Sequence, residues 1–127
     1  MAVAQRRKRG RLSRSGDFDR VYREGRSHAN RFFVLYAFPR ADAAGEGTRL
    51  GVSVGRKVGG ATQRNAVKRA LREAFWEFDA DLPADHDFVV VARPDAAALV
   101  EREGAKGAGT ALGELVAEAN VGKAGGA

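Results

Sequence analysis

The sequence has no cysteine, and it has only two histidines and one tryptophan among its 127 residues. The absence of cysteine excludes disulfide bonds, thiolate nucleophiles and cysteine-based zinc sites, and it fits a reducing compartment such as the cytoplasm. No apolar run approaches the roughly 20 residues of a membrane-spanning helix, so we expect no membrane partner. The N-terminal cations are followed by polar residues instead of the apolar core of a signal peptide, so we expect no targeting segment and a cytoplasmic protein.

Positive charge is what the chain has in excess, with a formal net charge of +6. The excess is uneven, because residues 1–79 carry a net charge of +10 and residues 80–127 a net charge of −4. Such a basic segment is typical of proteins that bind nucleic acid or another anionic surface. The length suits one compact domain, which we expect at residues 13–120, between a basic disordered arm at 1–12 and a disordered tail at 121–127.

One amphipathic helix is predicted to begin after Gly60, with Thr62 as its N-cap, and to fade near Asp79. At about 100° per residue, an arc of about 140° carries what we call the basic face: Arg64, Asn65, Lys68, Arg69 and Arg72. The opposite arc is apolar: Ala66, Val67, Ala70, Leu71, Ala74 and Phe78. Within this helix no acidic residue precedes Glu73. The pairs of an acid and a base four residues apart that decorate an ordinary solvated helix are therefore missing. A solvated surface is one interpretation of this face, and docking on RNA or DNA is the favoured one.

Further cations flank this helix in the sequence. Arg56 and Lys57 lie in the loop before it. The N-terminal arm contributes five more and no acid: Arg6, Arg7, Lys8, Arg9 and Arg11. We expect the arm to be disordered alone and attracted to phosphates, and the alternative is a solubilising tail.

The remaining patterns predict an α+β sandwich in which helices pack against a small sheet. Helices are predicted at 15–25, with Ser15 as the cap and Gly25 as the stop, and at 110–120. Strands are predicted at 31–38, 49–55 and 86–92, the last being central because it is almost wholly apolar. Residues 27–30 are expected to form a loop, 40–48 a loop or a poor edge strand, 95–103 a helical turn and 104–109 a glycine-rich stretch.

Two patterns allow both a structural and a binding interpretation. Phe18 and Tyr22 share one face of the first helix, where they either belong to the core or offer a ring on which a base can stack. In the strand at 49–55, Gly51, Ser53 and Gly55 leave one face almost bare. Either a helix packs tightly there, or a ligand approaches the backbone closely.

The acidic turn at 79–87 contains the only candidate metal ligands that we consider. A free-standing metal nuclease would use Asp79, Asp81, Asp85 and His86. Their spacing matches no recognised ligand pattern, so we interpret the turn as a capping segment and expect no catalytic residue and no metal site in this chain.

An ordered set of short motifs closely resembles the protein subunit of bacterial ribonuclease P over roughly residues 11–94. The set comprises Arg11-Leu12, Asp17-Phe18, Val21-Tyr22, Gly25, residues 30–36, residues 50–54, Lys57-Val58-Gly59, Arg64-Asn65 with Lys68-Arg69 and Arg72 to Phe75, and Ala92-Arg93. The resemblance implies a fold related to the second domain of ribosomal protein S5, with a left-handed β-α-β crossover.

The resemblance also implies a function and its partners. The family's catalytic RNA subunit, with Mg²⁺ held mainly by that RNA, removes the 5′ leader of precursor tRNA, and the protein binds both RNAs without a cofactor of its own. Matching positions imply a leader-binding cleft at Phe18, Tyr22, Tyr36, Ser53 and Arg56. They imply a basic motif for the catalytic RNA at Lys57, Arg64, Asn65, Lys68, Arg69 and Arg72.

Two positions depart from the family's motifs. Ala66 stands where the family usually has a second arginine after Arg64-Asn65, and Gly60 stands where it usually has asparagine. Each departure removes a polar contact that the arginine-rich arm can offset. The competing interpretation is a ribosomal or other structural RNA-binding protein with the same fold and no catalytic partner, which would need the basic face but not the aromatic cleft.

Overall fold

The structure is a computed structural model that describes residues 9–40, 47–78, 81–83 and 85–125, with side chains described up to residue 119. The elements follow one another along the chain as β1 (Arg9–Arg11), α1 (Ser15–Glu24), β2 (Arg26–Ala29), β3 (Phe33–Pro39), β4 (Thr48–Ser53), a 3-10 turn (Arg56–Val58), α2 (Ala61–Trp76), β5 (His86–Ala92) and α3 (Ala96–Gly125). The three strands and three helices predicted from the sequence are all present.

The five strands form one mixed sheet in the order β1-β4-β5-β3-β2. β4 pairs in parallel with β1 and β5, whereas β3 pairs antiparallel with β5 and β2. β5 is central, as its apolar sequence predicts. Because β4 and β5 are parallel neighbours, α2 is the crossover helix of a β-α-β unit. The left-handed sense of that crossover stays a prediction from the resemblance.

The larger hydrophobic core lies between the sheet and the two helices α2 and α3. Its fully buried large side chains are Phe33 and Leu35 of β3, Leu71 and Phe75 of α2, Phe88 and Val90 of β5, and Leu112 and Leu115 of α3. Each such side chain contributes about 1.5–3 kcal/mol of burial free energy. The apolar arc of α2 therefore faces the core, as predicted, and this orientation holds the basic face on the outside.

A smaller core lies on the opposite face of the sheet, under α1. Leu12, Val21 and Val89 are buried there, and Phe18 and Tyr36 pack against them partly buried. The predicted α+β class and the sandwich of sheet and helices are confirmed, and α1 covers part of the second sheet face as well.

The two edge strands correct the sequence prediction. Residues 9–12 were expected in a disordered arm, but Arg9–Arg11 form β1 and Leu12 is buried. The Leu12 amide donates to the carbonyl of Leu50 at 2.9 Å, which extends the pairing. The predicted loop at 27–30 is also wrong, because β2 pairs Arg26–Ala29 with β3. Residues 1–8 of the predicted arm lie outside the described residues, as do residues 41–46 of the predicted loop or edge strand.

Both predicted N-caps are wrong, whereas the predicted stop of α1 is right. The cap of α1 is Arg14 rather than Ser15, and the cap of α2 is Gly60 rather than Thr62. At Gly60 the capping contact comes from within the helix, because the amide of Gly60 donates to Oε1 of Gln63 at 3.0 Å. Gly25 ends α1, and a Cβ at this residue would lie 2.6 Å from the carbonyl oxygen of Val21.

The C-terminal helix is longer than predicted. α3 continues through the glycine-rich stretch 104–109 and the expected tail to Gly125, with one backbone break at Gly104 (φ 64°, ψ −152°). Small residues permit this because α3 lies close to α2: a Cβ at Gly109 would lie 3.8 Å from Cβ of Ala74, and one at Gly113 would lie 3.1 Å from the Phe78 ring. Across the described ranges, no helix combines the length and apolarity needed to cross a bilayer.

Candidate RNA-binding site

The basic face is held outward by α2 along its whole length. Asn65 and Arg69 are exposed, while Arg64, Lys68 and Arg72 are half-buried. In the described part of the chain, none of its four cations has an ion pair or a side-chain hydrogen bond. The basic face is therefore a concentration of uncompensated positive charge, which favours an anionic partner.

Several arginines outside α2 form ion pairs with aspartate. Arg20 lies 3.2 Å from Asp17, Arg31 lies 2.8 Å from Asp95, and Arg40 lies 2.8 Å from Asp87. Pairing with aspartate is thus the rule for these arginines, although the chain has more cations than acids. The four cations of α2 have no such partner in the described part of the chain, and they lie together on one face of a single helix.

Partial burial on α2 is energetically unfavourable for the charged side chains of Arg64 and Arg72. Nε of Arg64 is buried without a hydrogen-bond partner among the described residues, and a buried unpaired donor costs about 1–3 kcal/mol. Burial, and secondarily the charge of Arg11, lower the pKa of Arg72. Both observations describe positive groups that would gain from a bound anion.

The 3-10 turn adds the two loop cations at the start of α2. Arg56 and Lys57 are exposed, whereas Val58 is buried in the main core and fixes the turn to the domain. The amide of Gly59 donates to the carbonyl of Arg56 at 3.2 Å, which closes the turn. Lys57 therefore lies exposed directly before α2, and its place in the basic motif stays a prediction. Arg56 lies between the end of β4 and the start of α2 in the chain.

The predicted aromatic residues meet between α1 and the sheet. The ring centroids of Tyr22 and Tyr36 lie 5.0 Å apart in an edge-to-face arrangement, and those of Phe18 and Tyr22 lie 6.2 Å apart. Tyr22 is 37% exposed, and it is the one large apolar side chain classed as exposed in the described part of the chain. A ring held by two aromatic neighbours with one side open to solvent can stack on a nucleobase.

The face of β4 that carries Gly51 and Ser53 was open to two interpretations, tight helix packing or close approach of a ligand, and its two residues differ in this respect. At Gly51 a helix packs tightly, because a Cβ there would lie 2.6 Å from Cζ of Phe18. Ser53 lies one row farther, where it is paired with Val91, and Val91 is paired with Val34. All three residues of this row are half-buried. The row is therefore partly open to solvent, and the leader-binding cleft at Ser53 stays a prediction.

A buried ion network, which the sequence reasoning missed, fixes α1 to the sheet. Asp87 of β5 is 1% exposed; Nε and one terminal nitrogen of Arg49 donate to its two oxygens at 2.8 and 2.7 Å. Arg40 lies 2.8 Å from the same carboxylate, and Arg49 also lies 3.6 Å from Asp17 of α1. The sequence did contain a signal for this network. Asp87 alternates with Val89 and Val91 along β5, so its carboxylate lies on the same face of the sheet as these two valines, where a buried acid needs a cationic partner.

The acidic turn performs the structural role that we predicted for it. Oδ1 of Asp85 accepts a hydrogen bond from the amide of Gly47 at 2.8 Å, and the carbonyl of Asp85 accepts one from the amide of Arg40 at 3.0 Å. His86 stacks on Phe88 with ring centroids 5.7 Å apart. In the ranges that the structure describes, no three histidine or acidic residues are grouped as metal ligands. Asp79, the remaining member of the proposed nuclease set, lies outside those ranges.

Comparisons with known proteins identify the family of this chain. The family model described as Ribonuclease P matches residues 7–115. The chain belongs to the ribonuclease P protein family. The ribonuclease P protein component of Bacillus pumilus is 38% identical over 97 residues, which cover 76% of this chain and 80% of the relative. That of Halalkalibacterium halodurans is 42% identical over 91 residues, covering 72% and 75%.

Solved structures of ribonuclease P proteins share the fold. The RNase P protein of Staphylococcus aureus aligns with a TM-score of 0.74 and 33% identity, covering 86% of this chain and 94% of the other. That of Thermotoga maritima aligns with a TM-score of 0.69 and 33% identity, covering 80% and 90%. Family membership extends past the resemblance noted at residues 11–94, because the matched region reaches residue 115 and includes the break at Gly104 and the first part of the segment of α3 that follows it.

Proposed function

We propose that this ribonuclease P protein binds two RNAs on two different surfaces. The basic face, with Lys57, docks on the catalytic RNA subunit of the ribonucleoprotein. The cleft formed by Phe18, Tyr22, Tyr36, Ser53 and Arg56 holds the single-stranded 5′ leader of precursor tRNA. The single observation that carries the proposal is the collection of unpaired cations on α2, in a structure that pairs several of its other arginines with aspartate.

The separation of the two surfaces supports two simultaneous partners. The main core lies under α2, whereas Tyr36 packs with Val89 against α1 on the opposite side of the sheet. A leader in the cleft therefore does not compete with RNA on the basic face. The turn at Arg56 connects the two surfaces, which suits a path from the substrate to the catalytic RNA.

The protein's contribution in this proposal is affinity and positioning. Exposed lysines and arginines neutralise phosphates and release counterions, and an aromatic ring stacks on bases with little regard to sequence. Mg²⁺ held mainly by the RNA would supply activation of the attacking water. The residues of this chain bind and orient the substrate, and they reduce the repulsion between the two RNAs. The proposal places this complex in the cytoplasm, which the cysteine-free sequence fits.

Reconstitution with the catalytic RNA of the same organism tests the proposal. We expect the protein to permit cleavage of precursor tRNA at a low Mg²⁺ concentration at which the RNA alone is inactive. The controls are the RNA alone and the protein alone, assayed over the same salt series. If the protein binds this RNA but leaves cleavage unchanged at every Mg²⁺ and salt concentration, the protein is a structural RNA-binding protein instead.

The protein-alone control tests the remaining alternative. We expect no cleavage of precursor tRNA by the protein without its RNA, since the proposal assigns it no catalytic residue. Cleavage that survives removal of the RNA, and that disappears when Asp81 and His86 are replaced, would support the free-standing nuclease and contradict the proposal.

A further inference from the structure

The edge strand β1 brings a second line of cations to the basic face. Alternate residues of a strand point to opposite sides of the sheet. Leu12 enters the small core under α1, and Arg9 and Arg11 point to the other side, where α2 lies. The guanidinium of Arg9 lies 5.1 Å from the centre of the Trp76 ring at the end of α2. We call the surface formed by Arg9, Arg11, Arg72 and Trp76 the β1–α2 seam.

Arg11, on the α2-facing side of β1, and Arg72, on α2 itself, are two cations of this seam without a compensating acid. Arg11 is exposed and Arg72 is half-buried. Neither has an ion pair or a side-chain hydrogen bond in the described portion of the chain. Burial, and secondarily the charge of Arg11, lower the pKa of Arg72, and the second of these is the mutual repulsion expected of two cations on the same side of the sheet edge. An anion between them would replace this repulsion with two charge-assisted hydrogen-bonding partners.

We propose that the β1–α2 seam binds one backbone phosphate of the catalytic RNA, held jointly by Arg11 and Arg72, with the neighbouring nucleotide beside Trp76. The inference rests on the proposed function, which places this RNA along the basic face. The seam shares Arg72 with that face, extends it toward Trp76 and β1, and lies across the sheet from the aromatic cleft. The catalytic RNA is therefore the source of this phosphate, and the tRNA leader is not.

The proposal gives β1 a function that its length alone does not explain. Three strand residues at a sheet edge contribute little stability by themselves, yet β1 holds Arg9 and Arg11 against α2. A phosphate in the seam joins β1 to α2 across the sheet edge. RNA binding then stabilises the edge strand, and the edge strand in turn extends the RNA-binding surface.

A double-mutant cycle tests whether the two arginines share one phosphate. The variants are Arg11→Gln, Arg72→Gln and the double variant, and the measured quantity is the Kd for the catalytic RNA alone across a KCl series at fixed Mg²⁺. Each single variant is expected to weaken binding by about tenfold or more and to reduce the salt slope by about 0.7–0.9. The double variant is expected to lose little beyond either single one, because the same contact is removed.

Arg26→Gln is the matched control, since Arg26 is an exposed arginine on the other edge strand, β2. It should bind the catalytic RNA like the wild type. Thermal unfolding of each variant verifies that the fold is intact. Additive losses in the double variant, or an effect of Arg11→Gln no larger than that of Arg26→Gln, would overturn the shared phosphate site. A loss of affinity for a leader oligonucleotide, with catalytic RNA binding unchanged, would overturn it as well.

Trp76 supplies an independent readout because it is the only tryptophan in the chain. Its fluorescence should change on titration with the catalytic RNA, with the same Kd as the binding assay, and this change should shrink in Arg11→Gln. Unchanged Trp76 emission at saturating RNA would contradict the seam.

Different experimental outcomes would contradict the β1–α2 seam and the proposed function. If Lys68→Ala weakens catalytic RNA binding and Arg11→Gln does not, the seam is wrong and the proposed function stands. If the wild-type protein does not bind the catalytic RNA at all, the proposed function is wrong and the seam with it.

Discussion

Replacing Asp87 with asparagine should destabilise the protein far more than replacing any exposed aspartate. The Asp87 carboxylate is 1% exposed and accepts hydrogen bonds at 2.8 and 2.7 Å from Arg49, with Arg40 at 2.8 Å on the same group. The Arg40 side chain is itself only 6% exposed. The neutral amide would leave this buried arginine facing no anion, and removing one partner of a buried pair costs about 3–5 kcal/mol.

Denaturant unfolding and thermal melting measure the effect directly. For a domain of this size, the expected loss corresponds to a fall in Tm of about 10–20 °C. Asp95→Asn is the matched control, because it breaks an ion pair of the same 2.8 Å length whose side chains are 74% and 53% exposed. An exposed pair contributes about 0–1 kcal/mol. If Asp87→Asn loses no more stability than Asp95→Asn, the buried network does not have the role assigned to it.

The same substitution has a functional consequence, since Arg49 connects Asp87 to Asp17 of α1. Loosening α1 moves Tyr22 relative to Tyr36 and leaves the cations of α2 in place. Below its melting temperature, the Asp87→Asn variant should therefore lose affinity for precursor tRNA while keeping its affinity for the catalytic RNA. Equal losses for both RNAs would mean that the network supports the whole domain and has no particular role at the cleft.

Three further substitutions test individual surfaces. Tyr22→Ala should weaken binding of precursor tRNA by about 5- to 150-fold, which is about 1–3 kcal/mol of lost stacking, and should spare mature tRNA; Tyr22→Phe should retain the ring and the affinity. Equal weakening for both tRNAs would point to a folding defect. Gly51→Ala should cost about 1–3 kcal/mol of stability in chemical denaturation, because the new Cβ meets the Phe18 ring, and unchanged stability would contradict that packing. Lys68→Ala should flatten the salt dependence of catalytic RNA binding by somewhat less than one unit of slope, whereas Arg102→Ala on α3 should leave it unchanged. An unaltered slope for Lys68→Ala would mean that the basic face does not contact RNA.

Elements with a strong apolar pattern were predictable from the sequence. β5 has the predicted bounds, His86–Ala92, because five consecutive apolar residues followed by Arg93-Pro94 define a buried strand and its end. α2 was predictable because its apolar residues recur with the helical period. This period places Leu71 and Ala74 on the buried face and Arg69 and Arg72 on the opposite face. In these segments local pattern and tertiary packing require the same structure.

Elements defined by tertiary contacts were not predictable in the same way. β1 and β2 are short, polar edge strands, and their sequences, Arg-Gly-Arg and Arg-Ser-His-Ala, have no apolar alternation. Their pairing with β4 and β3 determines their structure. Likewise, the glycine-rich part of α3 has low intrinsic helix propensity, but glycine allows close packing on Ala74 and Phe78.

The candidate site shows the same difference between features set by local sequence and features set by contacts between distant segments. The chemistry of the basic face could be predicted because charge and helical period are local properties of the sequence. The pairing of Arg49 with Asp87, and the placement of Arg11 on the same side of the sheet as α2, depend on register between distant segments. The two departures at Gly60 and Ala66 stay predictions of reduced RNA contact. In the structure, Gln63 supplies an amide at Gly60, and Ala66 is half-buried.

The most direct test of the two-surface account is the affinity of the RNA subunit for precursor and mature tRNA, each measured with and without this protein. The account predicts that the protein increases the affinity for precursor tRNA and leaves the affinity for mature tRNA nearly unchanged, because only the precursor has a leader to place beside Tyr22. An equal increase for both tRNAs, or no increase for the precursor, would contradict it.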